Sequence, residues 1–233
     1  MTKRKYLWAL FLLTILRTVN LRAGDNAAFV DLGFSTDGRT FAFAQYGVQA
    51  GTLKPWADLF VVDVPQNNFV SGGRVSYVHD SPITAGTDGS GALFSIIARN
   101  NSLFEKYGIN LLLQGQPVFI SLDGPGSPPG QNVEFRDFAT GASYKASLIS
   151  RVDGAGAALT SSFYINLERT GRDGARKSYT VGTPSVRRPQ IASYRIRKVI
   201  LSPNGGSIIL IIEMKKQNGQ DFDIRYMVEA LRL

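Results

Sequence analysis

The chain has 233 residues, no cysteine, a single histidine and a formal net charge of +8. Without cysteine it has no thiol nucleophile, thiolate zinc site, iron–sulfur cluster or disulfide, and at this length it can bury a core without such staples. Five of its 26 basic residues and none of its 18 acidic ones lie in the first 23 positions, so the remainder carries only +3 and the basicity does not argue for nucleic acid.

Those 23 residues read as a secretory signal. Lys3, Arg4 and Lys5 form a positive n-region, and Tyr6 to Leu16 an apolar h-region; the small residues Ala23 and Gly24 then offer a cleavage site. Eleven apolar residues make about 17 Å of helix, short of the ~30 Å hydrocarbon core, so a removable leader is expected rather than an anchor. No other apolar run is long enough to span, and no cysteine is present to carry lipid at a new N-terminus. The mature chain, residues 24–233, is expected to be one exported β-rich domain without a permanent membrane span.

In chain order, the mature part opens with Asn26–Phe34, the turn Ser35-Thr-Asp-Gly38 and Arg39–Tyr46. Phe41 and Phe43 alternate with Ala42 and Ala44, which is strand periodicity, and Asp-Gly between apolar runs marks a turn. Trp56–Val64 ends in a nearly continuous apolar run, Leu59 to Val64, as in a strand buried on both faces. One amphipathic helix is expected over about 89–107. Asp88 stands before it, Leu93, Phe94, Ile97, Leu103, Phe104 and Tyr107 fall on one stripe, and Gly108 is its stop. A central meander over about 116–182 follows. It contains a Gly/Pro-rich loop, Asp123–Gly130, and strands near Val133–Asp137, Ser143–Arg151, Ser161–Arg169 and Lys177–Val181. Pro184 to Pro189 reads as a linker. The chain closes with Tyr194–Leu201, the turn Ser202-Pro-Asn-Gly205, Ser207–Glu213 and Asp221–Val228.

The two ends therefore share a plan, over about 27–64 and 194–229. Phe34-Ser-Thr-Asp-Gly38 aligns with Leu201-Ser-Pro-Asn-Gly205, and Asp58-Leu-Phe-Val-Val62 with Asp223-Ile-Arg-Tyr-Met227. These segments resemble blades of TolB-type β-propellers over about 35 residues at each end. A complete propeller has at least four blades of ~40 residues, and the middle shows no third copy, so blade-like sheets are expected and not a closed ring. The mature sequence as a whole resembles an uncharacterised bacterial family of predicted secreted proteins, a domain of unknown function. Gly24-Asp25, Phe34-Ser35 to Gly38, Phe41-Ala-Phe-Ala-Gln-Tyr-Gly47, Phe60-Val-Val-Asp63 and Ile224-Arg-Tyr-Met-Val228 carry that resemblance. It implies export and no particular activity.

The catalytic inventory is thin. His79 is the only histidine, and its neighbour Asp80 points to the opposite face of an extended chain, which argues against a triad or a histidine metal site. Gly89-Ser-Gly91 lacks the spacing of a nucleophile elbow, and Gly154-Ala-Gly156 lacks the third glycine of a dinucleotide fingerprint. No catalytic residue, cofactor or metal is assigned. Asp221 and Asp223 share one face of a strand, and Asp58 and Asp63 bracket another. Asp58 and Asp223 suit a hydrogen bond to turn backbone better than Ca²⁺ binding.

Candidate contacts remain. Trp56, Tyr46 and Phe69 flank the loops of the first repeat and could stack on a sugar or anchor a partner. Arg187, Arg188, Arg195 and Arg197 could form a patch for an anionic ligand, in a C-terminal stretch that is more basic than the rest. The reading is an exported, non-enzymatic binding or scaffold protein of the cell envelope, whose partner is an envelope protein or an anionic polymer. The alternatives are a hydrolase using two carboxylates on an envelope glycan or peptide, and a sensor of a small ligand held between the sheets.

Overall fold

The computed structural model describes residues 25–122 and 132–233. The leader and its Ala23–Gly24 cleavage site lie outside the described residues, as does the Gly/Pro-rich loop.

The N-terminal meander is β1 (Ala28–Ser35), β2 (Thr40–Val48), β3 (Pro55–Asp63) and β4 (Asn68–Val78). Two short helices follow, α1 (Ser90–Arg99) and α2 (Asn101–Tyr107), then β5 (Ile109–Asn110) and β6 (Gln116–Ile120). The central meander is β7 (Asn132–Arg136), β8 (Ser143–Asp153), β9 (Thr160–Thr170) and β10 (Arg176–Val181). The bridge β11 (Arg188–Pro189) leads to β12 (Ile191–Leu201), β13 (Ser207–Asn218) and β14 (Asp221–Arg232). Three antiparallel sheets result, in the orders β4-β3-β2-β1-β5, β10-β9-β8-β7 and β14-β13-β12-β6. The fold is mainly β.

The C-terminal sheet is the middle layer. Along β13, Ile208, Leu210 and Ile212 enter one apolar cluster with the central meander, while Ile209 and Ile211 enter a second with Phe34, Phe41, Phe43 and Phe60. Period-two alternation thus sends a continuous apolar strand to both faces. In β12 a bulge between Ile196 and Lys198 shifts the parity, so Ile196, Val199 and Leu201 all face the central meander. On the N-terminal sheet, Phe41 and Phe43 point at the middle sheet, and Ala42 and Ala44 lie under the helices. Small residues on that face let α1 approach closely: a Cβ on Gly89 would stand 2.5 Å from the Gly47 carbonyl oxygen. The order of layers is helices, N-terminal sheet, C-terminal sheet, central sheet. Among the described residues no sheet closes into a barrel.

The two aligned turns are built alike and touch. Ser35 Oγ donates to Asp37 Oδ1 (2.6 Å) and accepts from Thr40 N–H; Ser202 Oγ donates to Asn204 Oδ1 (2.7 Å) and accepts from Ser207 N–H. Asn204 Nδ2 then donates to the Asp37 carbonyl (3.0 Å), and Ser207 Oγ to that of Gly38 (3.2 Å). Asparagine in place of aspartate at the second turn supplies this donor. Gly38 has φ +69°, and a side chain there would collide with Asn204.

Three expectations are corrected. The helix is broken at Asn100, whose φ of −120° leaves the helical region and whose Nδ2 bonds the Ile96 carbonyl. The buried residues of α1 are Ala92, Leu93 and Ile96, and Phe94 is 66% exposed. Next, β6 does not belong to the central meander: it pairs with β12 and completes the middle sheet. The supposed linker at Pro184–Pro189 contains β11, which bonds β9.

Candidate functional site

One cleft touches all three sheets. The β3–β4 hairpin contributes Val62, Asn67 and Phe69; the link after β10 contributes Thr183 and Val186, and β11 contributes Arg188. Met227, Val228 and Glu229 of β14 form its floor, and its volume is about 460 Å³.

Asn67 organises this junction. The turn places it in the left-handed region (φ +49°), which asparagine tolerates better than most side chains. From there its amide crosses to the middle sheet. Oδ1 accepts from the Ala230 N–H (2.7 Å), and Nδ2 donates to Glu229 Oε2. Glu229 is 4% exposed, and burial pushes its carboxyl above the usual range, opposed by the Asn67 bond and the Arg188 charge. The Arg188 guanidinium stands 3.8 Å from Glu229 Oε1 and lies over the Phe163 ring, 4.8 Å from its centre. One buried carboxylate is thus held between an amide and a half-buried guanidinium at the meeting point of the sheets. Around it, Phe69 and Val186 are 43% and 45% exposed.

The four candidate arginines do not converge. Arg187 is paired with Asp153. Arg195 grips Glu213 with 2.7 and 2.8 Å contacts to its two oxygens, and Arg197 Nε lies 3.8 Å from the same carboxylate. Arg188 alone reaches the cleft. The anionic patch read from Arg187, Arg188, Arg195 and Arg197 is therefore divided among three acidic partners, because cross-strand register sets Arg195 opposite Glu213. Beyond Glu213 stands Tyr226, its hydroxyl pushed up to about 12 by burial and by that carboxylate.

Trp56 is not presented to solvent. It is 5% exposed, and Arg225 stacks on its ring at 4.3 Å. Arg225 also donates to the Asp25 carbonyl (2.8 Å) and approaches the carboxylates of Asp25 (3.4 Å) and Asp223 (3.6 Å). Asp223 Oδ1 accepts from the Asp25 N–H, and the Asp25 carbonyl accepts from Ile224 N–H. Asp58 takes the Gln45 amide (3.1 Å) instead of turn backbone, and Gln45 Oε1 accepts from Tyr226 N–H (2.8 Å). These carboxylates tie the start of the described chain and the N-terminal sheet to β14. His79 is exposed at the end of β4, 3.0 Å from the Tyr77 hydroxyl. Among the described residues, no group of three or more His, Asp or Glu side chains could hold a metal ion.

The decisive pair, Asn67 and Glu229, was not singled out from sequence. A signal exists for Glu229, an isolated charge inside Tyr226-Met-Val-Glu-Ala-Leu231, where an edge strand packed against a neighbouring sheet would carry apolar residues. Asn67 sits in Pro65-Gln-Asn-Asn68, which reads only as a turn.

Fold and site together define a mainly β scaffold of stacked sheets with a polar, partly open junction where the sheets meet. Its helices offer no route through a bilayer: among the described residues none is long and apolar enough to cross one. Residues 42–232 match the family described as "Predicted secreted protein (DUF2259)", and the chain belongs to that family. Membership agrees with the export read in the leader. No curated protein and no solved structure matches the chain.

Proposed function

We propose that this secreted protein is a non-enzymatic binding or scaffold protein of the cell envelope, and that the three-sheet cleft is where it holds a partner. The carrying observation is the cleft itself: a buried Glu229 engaged by Asn67 and Arg188, with Phe69 and Val186 half open on its lips. Partly exposed apolar side chains around satisfied polar groups are the anatomy of a recognition site. The blade-like terminal meanders act in this reading as the rigid frame. A protein partner is favoured over an anionic polymer, because carboxylates already occupy the arginines that would have received the polymer. The hydrolase reading has less support. Glu229 is the one carboxylate among the described residues that line the cleft. The depression of about 500 Å³ on the central sheet sets Lys145 between Glu134 and Glu168, on an open face where water would compete.

The test is site-specific photocrosslinking in the producing cell. A photoreactive residue at Gln66 or Thr183, both exposed beside the cleft, is expected to yield one discrete adduct in the envelope fraction. The same residue at Ser95, in α1, is expected to yield none. Absence of an adduct from both cleft positions would overturn the proposal.

A further inference from the structure

The free edge of β14 lies beside the cleft, and three of its outward backbone donors are already taken. Ile224 N–H goes to the Asp25 carbonyl (2.9 Å), Tyr226 N–H to Gln45 Oε1 (2.8 Å) and Ala230 N–H to Asn67 Oδ1 (2.7 Å). Residues along a strand alternate between the two edges. Since 224, 226 and 230 point away from β13, Val228 does too, and its N–H and C=O are directed to the same edge. Among the described residues no hydrogen bond is made to the Val228 N–H, and Val228 lines the cleft.

The same edge already accepts extended backbone elsewhere. Asn26 forms a parallel bridge with Ile224, and Ala27 N–H donates to the Ile224 carbonyl (3.1 Å). We infer that the cleft takes an extended peptide segment of the partner protein by strand addition at Val228. This rests on the binding reading above and deepens it. At about 3.4 Å per residue, the stretch from Tyr226 to Ala230 spans roughly 14 Å, room for about three residues between the Gln45 and Asn67 amides. Side chains of an added strand alternate. One face of the added strand meets Phe69 and Val62, and the other meets Val186, Arg188 and Glu229. The partner segment is therefore an alternating one, apolar toward the N-terminal sheet and polar toward the central sheet.

Hydrogen exchange tests this directly, with the capped pentapeptide Ac-Thr-Val-Thr-Val-Thr-NH₂ at millimolar concentration as probe. In the free protein, Val228 N–H is expected to exchange roughly tenfold or more faster than Tyr226 and Ala230 N–H, and the probe is expected to slow it to their level. Val228→Pro removes the donor at an edge position that proline tolerates, and is expected to abolish probe binding while thermal unfolding stays cooperative. Should that variant fail to fold, Thr183→Trp, which fills the entrance from an exposed loop, is expected to give the same loss. A Val228 amide as protected as its neighbours in the free protein, or unchanged by the probe, overturns strand addition. If Val228→Pro still captures the wild-type adduct from Gln66, binding at the cleft stands and strand addition falls. If wild type captures no partner and yet the probe protects Val228, the envelope-binding reading falls and the edge site stands.

Discussion

The two halves of β14 are finished differently. Toward Asp221, the edge is closed: Asp25 lies along it, Arg225 stacks on Trp56 between two carboxylates, and Gln45 caps the next donor. Toward Arg232, one side-chain amide closes Ala230 and the position before it faces a cleft. Proteins protect exposed edges because an unpaired ladder invites other chains. An edge sealed over one half and open over a few residues of the other separates a structural seam from a candidate recognition point on the same strand.

The largest effect should come from breaking the closed half. Arg225→Ala strips the cover from Trp56 and leaves the buried Asp223 carboxylate without its cation. Removing one partner of a buried pair costs about 3–5 kcal/mol, and the partial exposure of Arg225 brings the expectation to about 2–3 kcal/mol. Urea unfolding measures it. Hydrogen exchange at Ile224 should rise while Ala230 stays protected; equal loosening at both ends would show that the halves are not separate. On the open half, Asn67→Gly keeps a residue at ease with positive φ but deletes the amide that serves Ala230 and Glu229. Stranding those two groups is expected to cost about 1–3 kcal/mol, and a cycle with Glu229→Gln should show non-additivity.

Much of this contrast was hidden in the sequence for identifiable reasons. The closed core was legible: Phe41 and Phe43 against Ala42 and Ala44, and the run from Leu59 to Val64, announce strands through periodicity and burial. The twin turns were legible because Asp-Gly and Asn-Gly have few other conformations to offer. β4 escaped notice, since an edge strand reading Asn-Phe-Val-Ser-Gly-Gly-Arg is largely exposed and resembles a loop. The sheet to which β6 belongs is not legible locally, because pairing between positions 116–120 and 198–201 leaves no trace along the chain. The arginines are neighbours along the chain, whereas Glu213, Asp153 and Glu229 reach them from three different strands. Asn67 and Glu229 stand 162 residues apart, so no motif could join them.

The smallest effect is also the most specific to the open half. Burial raises the carboxyl of Glu229, so the folded protein holds this proton more readily than the unfolded chain does. The contribution is fully present below the unfolded value, near 4.5, and is lost as pH rises through the folded value. Asp31 is also raised by burial, while Asp37 and Asp153 are lowered by their hydrogen bonds and pull the other way, so the total pH profile does not isolate Glu229. The difference between wild type and Glu229→Gln does. The glutamine cannot titrate, yet its carbonyl still accepts from Asn67. The stability of wild type relative to the variant is therefore expected to fall from about pH 4.5 upward and to level off once Glu229 is ionised. A flat difference in urea midpoints from acid to neutral pH would mean that water reaches this carboxylate freely, and would place the junction on the solvent side of the comparison.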